Sequence, residues 1–311
     1  MILVLGATGH VGSKVASQLL ANGHKVRCVA RHFPNKAALA GADFAEGDIN
    51  MVSFLADAMR GCSAAFVMIP QDTKSEELRF TSNKVGEVIA ECIEEVGLKK
   101  VVNLSSIGAD LDSGTGPVLS LHDQEERLNE ITHADIVHLR PTFFMENLIQ
   151  GIPSITSMNR FFGIIPEDAP IDMIAARDIA TRAAFLLTNP NFKSHNIEYL
   201  LGERTLTFRE VVRVLGQTIG KPTLEYVEVP DQEMRNYMIG AGMSQNAADG
   251  LIDMNHRLGD GTIQATYRRD KSNTTSTSIE AFAKTTFLEA YNKATGAEAE
   301  RKRRWDSEAR P

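Results

Sequence analysis

Residues Gly6 to Gly12, Gly-Ala-Thr-Gly-His-Val-Gly, stand between an all-apolar run, Ile2-Leu3-Val4-Leu5, and a segment whose apolar residues fall at Val11, Val15, Leu19 and Leu20. Four consecutive aliphatic residues suit a strand buried on both faces, and the second spacing is that of a helix. A strand, a glycine-rich loop and a helix in immediate succession open a βαβ unit, which calls for a parallel sheet covered by helices.

The first half keeps this rhythm. Strands are predicted at Lys25–Ala30, after the Asn22-Gly23 turn, at Ala64–Ile69, stopped by Pro70, at Val101–Leu104 and at Ile136–Leu139, with a weaker one at Asp43–Glu46. Helices are predicted over Ser53–Met59, over Glu76–Val96 up to Gly97, and over Asp123–Thr132. The fold class is therefore α/β, a doubly wound parallel sheet with helices on both faces.

After Pro141 the pattern turns mostly helical. A capping box, Thr207-Phe208-Arg209-Glu210, opens a helix to about Ile219, and Leu224–Val229 reads as a strand. Asp231 is expected to cap a further helix, Ser244 to start another, and Thr277-Ser278-Ile279-Glu280 to form a second capping box. The expected division is a cofactor-binding unit over 1–150 and a smaller substrate-side domain over 151–297, interleaved with the sheet through a strand at Asn196–Leu201. A solvated, frayed tail is expected over 298–311.

Composition narrows the function classes. The 311 residues are 43% hydrophobic and 23% charged, as in ordinary globular proteins, and the net charge of −7 argues against a nucleic-acid binder. No apolar run reaches membrane-spanning length. Cys28, Cys62 and Cys92 form no CxxC or Cys/His cluster, so they read as buried small hydrophobes in a reducing compartment, with no metal site. The N-terminal apolar run is broken by glycines and lacks a basic flank, so it reads as strand and loop rather than signal peptide, and the cytoplasm is the expected location.

The loop carries the candidate cofactor site. Gly6 allows a tight turn, Gly9 lets backbone approach a pyrophosphate, and Gly12 lets the helix pack close to the strand, with Thr8, His10 and Val11 completing the cradle. A site for NAD usually has an acidic residue at the end of the second strand, where this chain has Arg31. A guanidinium suits a ribose 2′-phosphate, so NADP(H) is the expected cofactor, with Lys36 adding charge. Asp48, followed by Ile49, either accepts from the adenine amino group or caps the next helix.

With these residues in place the chain resembles the NmrA-like family of atypical short-chain dehydrogenases/reductases over nearly its whole length. Further marks are Leu104-Ser105-Ser106, the stretch from Leu139-Arg140-Pro141-Thr142 through Phe143-Phe144-Met145-Glu146-Asn147, Thr207 to Val211, and Ser278 to Phe282. The resemblance implies a Rossmann-type domain that binds NADP(H) and a small C-terminal domain closing over a cleft. The expected cofactor contacts then extend to Ile69, Pro70, Ser105, Pro141, Phe143 and Phe144. Family members include quinone oxidoreductases of the second type, triphenylmethane dye reductases and isoflavone-reductase-like enzymes. Others are sensors that bind the dinucleotide without known turnover.

The position that holds Tyr-x-x-x-Lys in ordinary short-chain dehydrogenases reads His122-Asp123-Gln124-Glu125-Glu126 here. This His-x-x-x-Glu arrangement resembles that of the quinone-reducing branch. His122 at a helix start, with Glu126 one turn on, is either an imidazolium proton donor tuned by a carboxylate or a solvated surface pair. Ser106 either bonds a substrate oxygen or closes the strand end, and the two phenylalanines either wall the nicotinamide or belong to the core. The expected function is an NADP(H)-dependent oxidoreductase passing hydride to a small planar acceptor, a quinone or conjugated carbonyl. The alternative is an NADP(H)-binding sensor. No nucleic-acid or membrane partner is expected, and homodimerisation is left open.

Overall fold

The computed structural model describes residues 1–190 and 196–296; the expected tail over 298–311 lies outside them. In chain order the elements are β1 (Ile2–Leu5), α1 (Gly12–Ala21), β2 (Val26–Ala30), β3 (Asp43–Glu46), α2 (Val52–Met59), β4 (Ala64–Met68), α3 (Leu78–Val96), β5 (Lys100–Leu104), α4 (Leu119–Asn129) and β6 (Asp135–Pro141). There follow β7 (Phe143–Phe144), α5 (Ile152–Met158), β8 (Arg160–Gly163), β9 (Ile171–Ile174), α6 (Ala176–Thr188), β10 (Asn196–Leu200) and β11 (Thr205–Leu206). The last are α7 (Phe208–Thr218), β12 (Glu225–Glu228), α8 (Asp231–Gly240), α9 (Gln245–Gly259) and α10 (Ile279–Phe282).

Seven parallel strands form the main sheet in the order β10-β6-β5-β4-β1-β2-β3. Alternation along β1 shows how the two faces are filled. Leu3 and Leu5 pack with Leu55 and Met59 of α2, Ile89 and Ile93 of α3, and Leu128 of α4. Ile2 and Val4 turn the other way, toward Val15 and Leu19 of α1 and Ile179 and Ala183 of α6. The sheet thus takes α6 and β10 from beyond residue 150, with Asn196 in register with Val137.

A second core lies around Met145, Leu148, Ile171, Met173, Phe208, Val211 and Phe282. Two small sheets frame it, β11-β9-β7 and β12-β8. The sequence gives no warning of the two-residue strands, which are too short for any periodicity to register.

Several helix starts differ from expectation. Helix α4 begins at Leu119, not Asp123, because a 3₁₀ turn over Gly116–Val118, with Pro117 in its first turn, leads straight into it. His122 therefore sits inside the helix rather than at its start. Asp231 lies in the first turn of α8, behind an N-cap at Pro230. At α10 the cap is Ser278, whose hydroxyl accepts from Ala281 N–H at 3.2 Å, while Thr277 donates its hydroxyl to Asp178 at 2.7 Å. The Thr207–Glu210 capping box and the Ser244 cap form as expected.

Burial pushes the Cys28 thiol up to about 12 and the Cys92 thiol up to about 11, which makes both packing residues rather than nucleophiles. Among the described residues no helix is long and apolar enough to cross a membrane.

Candidate active site

The strand order reverses between β1 and β4, and the crevice at their C-terminal ends is where doubly wound sheets place ligands. The glycine loop lies there. Gly6 takes φ +63°, a left-handed conformation that glycine adopts without strain. A Cβ on Gly12 would lie 2.3 Å from the Gly6 carbonyl oxygen, so the close approach of α1 to β1 requires a glycine. Thr8, Gly9 and His10 are exposed, and Val11, the N-cap of α1, is buried. The N-terminus of α1 has no side-chain cap and no acidic residue in its first turn, so its N–H groups and positive pole face the loop. This cradle fits a pyrophosphate.

At the end of β2, Arg31 is exposed and, among the described residues, makes no ion pair or side-chain hydrogen bond. Its charge nonetheless reaches Asp48. The Asp48 carboxyl is held below the usual range first by the Asn50 backbone and side-chain N–H groups and less by Arg31. Both Asn50 donors go to Asp48 Oδ1, at 3.0 and 2.8 Å, which makes a local turn; the N-cap of α2 is Met51, so Asp48 does not cap it. Ile49 is half-buried beside this turn. Lys36 is engaged elsewhere, 2.5 Å from Glu46 and 5.4 Å from the centre of the Phe44 ring, so the added charge expected of it is already answered.

A groove runs from the loop toward the second half of the chain. A Cβ on Gly6 would meet the Met68 sulfur at 2.9 Å, and Met68 lines the inner part of the groove with Ile69, Gln71, Leu104, Ser105 and Leu121. Pro70 follows as an exposed residue, while Pro141 is buried and its carbonyl accepts from Ile107 N–H at 3.1 Å. Ser106 and Phe144 belong to both the inner and the outer part, joining them into one surface. The outer part adds Phe143, Asn147 and Met254, with Leu258 and Ile263. Phe143 is held edge-on against Phe208, with ring centres 5.9 Å apart.

Behind the groove lies a charge network that sequence reasoning missed. Glu125 and Arg140 are each only 4% exposed. The guanidinium donates to both carboxylate oxygens, at 2.9 and 2.6 Å, and to the Tyr199 hydroxyl at 2.9 Å; Asp110 approaches it at 3.3 Å. The Ser105 hydroxyl donates to the same Glu125 carboxylate. Burial disfavours the Arg140 charge, and its bonds to Glu125 more than restore it. The sequence held one signal: an arginine that continues an apolar strand needs a buried partner.

His122 stands apart from the groove lining. Its Nδ1 lies 2.8 Å from the Ala109 carbonyl oxygen, so Nδ1 carries the proton and donates it. Its Nε2 is 3.7 Å from Glu126, whose side chain is 73% exposed. The structure thus brings Ser106, Phe143 and Phe144 together and leaves His122 and Glu126 at the side. A Tyr-x-x-x-Lys spacing does occur, at Tyr267–Lys271, but outside any helix, and the Tyr267 hydroxyl donates to Asp172 at 3.1 Å. Burial and that carboxylate push the phenol well above its ordinary range, away from acid catalysis.

A doubly wound sheet with a glycine cradle at its switch point defines a dinucleotide-binding type of α/β protein. The model of the NmrA-like family matches residues 1–299, and the chain belongs to that family. It is similar to the NAD(P)H azoreductase of Xenophilus azovorans, 27% identical over 256 residues that cover 82% of this chain and 86% of the relative. The fold matches the NADPH-dependent quinone oxidoreductase QOR2 from Escherichia coli complexed with NADPH, with a TM-score of 0.75 and 19% identity over 92% of this chain and 100% of that one. It also matches the Citrobacter sp. triphenylmethane reductase complexed with NADP(H), with a TM-score of 0.76 and 19% identity over 92% and 99% of the two chains.

Proposed function

We propose that the protein is an NADPH-dependent reductase that passes hydride to a small planar acceptor, a quinone or conjugated carbonyl, held in the groove. The observation that carries this reading is the continuity of the groove. Met68 lies beside Gly6 at one end, and Phe143 and Met254 line the other, so a nicotinamide reaching in from the glycine loop would meet an acceptor held in the outer part. The azoreductase relative and the two reductases of like fold support it. When bound, NADPH supplies the hydride. The chain supplies the rest: the α1 N-terminus for the pyrophosphate, Arg31 for the 2′-phosphate, and Ser106 as the hydroxyl facing the acceptor. NADPH oxidation followed against a panel of quinones, azo dyes and enones tests the proposal. Turnover supports it, and tight NADPH binding without any turnover would favour a sensor.

Arg31 sets the cofactor preference in this reading. Arg31→Ala is expected to weaken NADP(H) by about 1.5–3 kcal/mol and to leave NAD(H) almost unchanged, because only the former carries the phosphate that the guanidinium meets. Calorimetric titration of both proteins with both cofactors measures this. Equal affinities in the unmutated protein would remove the basis for it.

Ser106 and His122 separate by their effects on turnover. Ser106→Ala is expected to lower kcat about 10²-fold with little change in NADPH affinity, since it removes a donor aimed at developing negative charge. His122 holds the Ala109 carbonyl, in the loop that follows Ser106. His122→Ala is therefore expected to cost less than about fivefold, well short of the roughly 10²–10⁴-fold of a positioned general acid. A fall of that larger size, with loss of one limb of the pH profile, would restore His122 as the proton donor.

A further inference from the structure

We infer that the acceptor end of the groove selects uncharged ring compounds and rejects anionic ones, with Met254 as the residue that sets this choice. The inference rests on the reductase reading for its substrate and on the lining for its chemistry. The outer groove is walled by Phe143, Phe144, Met254, Leu258, Ile263 and Ile107, all apolar. Its polar members are neutral. Thr142 is buried and donates its hydroxyl to the Leu200 carbonyl at 3.3 Å, which leaves Ser106 and Asn147 to meet a ligand. Two neutral hydrogen-bonding groups in an otherwise apolar slot suit an uncharged ring that carries polar substituents.

The charged groups behind the groove reinforce the choice. Arg140 is the cation of that cluster, and two carboxylates, Glu125 and Asp110, already answer it. The cluster therefore offers no spare positive charge. An anionic acceptor would lose its hydration on entering and gain no counter-charge, a cost that an uncharged ring escapes. Aromatic faces and a polarizable thioether gain contact with such a ring. Met254 comes from α9, near no charged partner in the lining, so a lysine there would place an ammonium directly against the ligand.

The test is a matched pair of probes, 1,4-naphthoquinone and 1,4-naphthoquinone-2-sulfonate, titrated calorimetrically into the protein with excess 1,4,5,6-tetrahydro-NADP, a redox-inert analogue whose nicotinamide ring is uncharged as in NADPH, and again into Met254→Lys. The neutral quinone is expected to bind at least about tenfold more tightly than the sulfonate, and Met254→Lys to close most of that gap by improving the sulfonate. Equal or tighter sulfonate binding in the unmutated protein overturns the inference, as does failure of both probes to bind. An unchanged gap in folded Met254→Lys also overturns it. If that variant does not fold, the two affinities of the unmutated protein decide. A tenfold gap without NADPH oxidation by any acceptor would leave the inference standing and remove the reductase reading, whereas turnover with no gap would do the reverse.

Discussion

Gly9→Val is expected to give a folded protein that has lost dinucleotide binding, and Gly12→Val a protein that is strongly destabilised. The two glycines are three residues apart in one loop, yet they meet different surroundings. A Cβ at Gly9 would come within 3.3 Å of the Gly6 carbonyl oxygen, a contact relieved by a shift of a few tenths of an ångström, and the residue is exposed. The valine would then project into the space that the pyrophosphate needs above the α1 N-terminus. Affinity should fall by about 10²-fold or more, since the phosphate loses both approach to the backbone and the helix pole. At Gly12 the Cβ would lie 2.3 Å from the Gly6 oxygen and 2.7 Å from its carbonyl carbon, both backbone atoms that cannot swing aside. Helix α1 would have to lift from β1, breaking the packing of Val15 and Leu19, at roughly 3 kcal/mol or more. Denaturant unfolding and NADPH titration on both variants measure the contrast. Near-normal NADPH affinity in folded Gly9→Val would place the nucleotide elsewhere.

That loop was legible because its constraints are local. A turn, a close backbone approach and a helix start all fall within seven residues, and each asks for glycine. The same holds for β1, β4 and β5, whose apolar runs need no partner to be recognised. The acceptor half of the groove is different in kind. Ser106 comes from the end of β5, Phe143 and Phe144 from β7, and Met254 from α9, more than a hundred residues further on. Nothing in the sequence around Met254 distinguishes a groove wall from an ordinary core position. Helix α6 is an intermediate case. Its stripe of Ala176, Ile179, Ala180, Ala183 and Leu187 is regular, but regularity does not tell which sheet the helix covers. His122 shows the reverse situation, a local pattern whose surroundings the sequence does not give. Its spacing to Glu126 is that of a catalytic pair, but the 3₁₀ turn before α4 moves the helix start and leaves the imidazole on the Ala109 carbonyl.

Arg140→Met is expected to destabilise the protein by about 3–5 kcal/mol, and the double variant Glu125→Gln/Arg140→Met to recover much of that loss. The single change leaves the Glu125 carboxylate buried, with the Ser105 hydroxyl as its remaining donor among the groups described around it. Such a carboxylate escapes by taking up a proton, so its folded-state pKa should rise above the unfolded value. The sign follows from linkage: a raised folded pKa means stability that is present at low pH and lost as pH climbs past the ordinary carboxylate range. Arg140→Met should therefore be closest to the unmutated protein near pH 4–5 and furthest from it above neutrality, where the buried charge must be kept. The double variant lacks the charge and should show no such slope. Urea unfolding of the unmutated protein, both single variants and the double variant at two pH values completes the cycle. Additive losses, with no coupling between the two positions, would mean that the bidentate contact contributes little. Coupling would tie the stability of the β5 and β6 strand ends to the surface that carries Ser105 and Ser106, because the carboxylate that holds Arg140 is the one to which Ser105 donates.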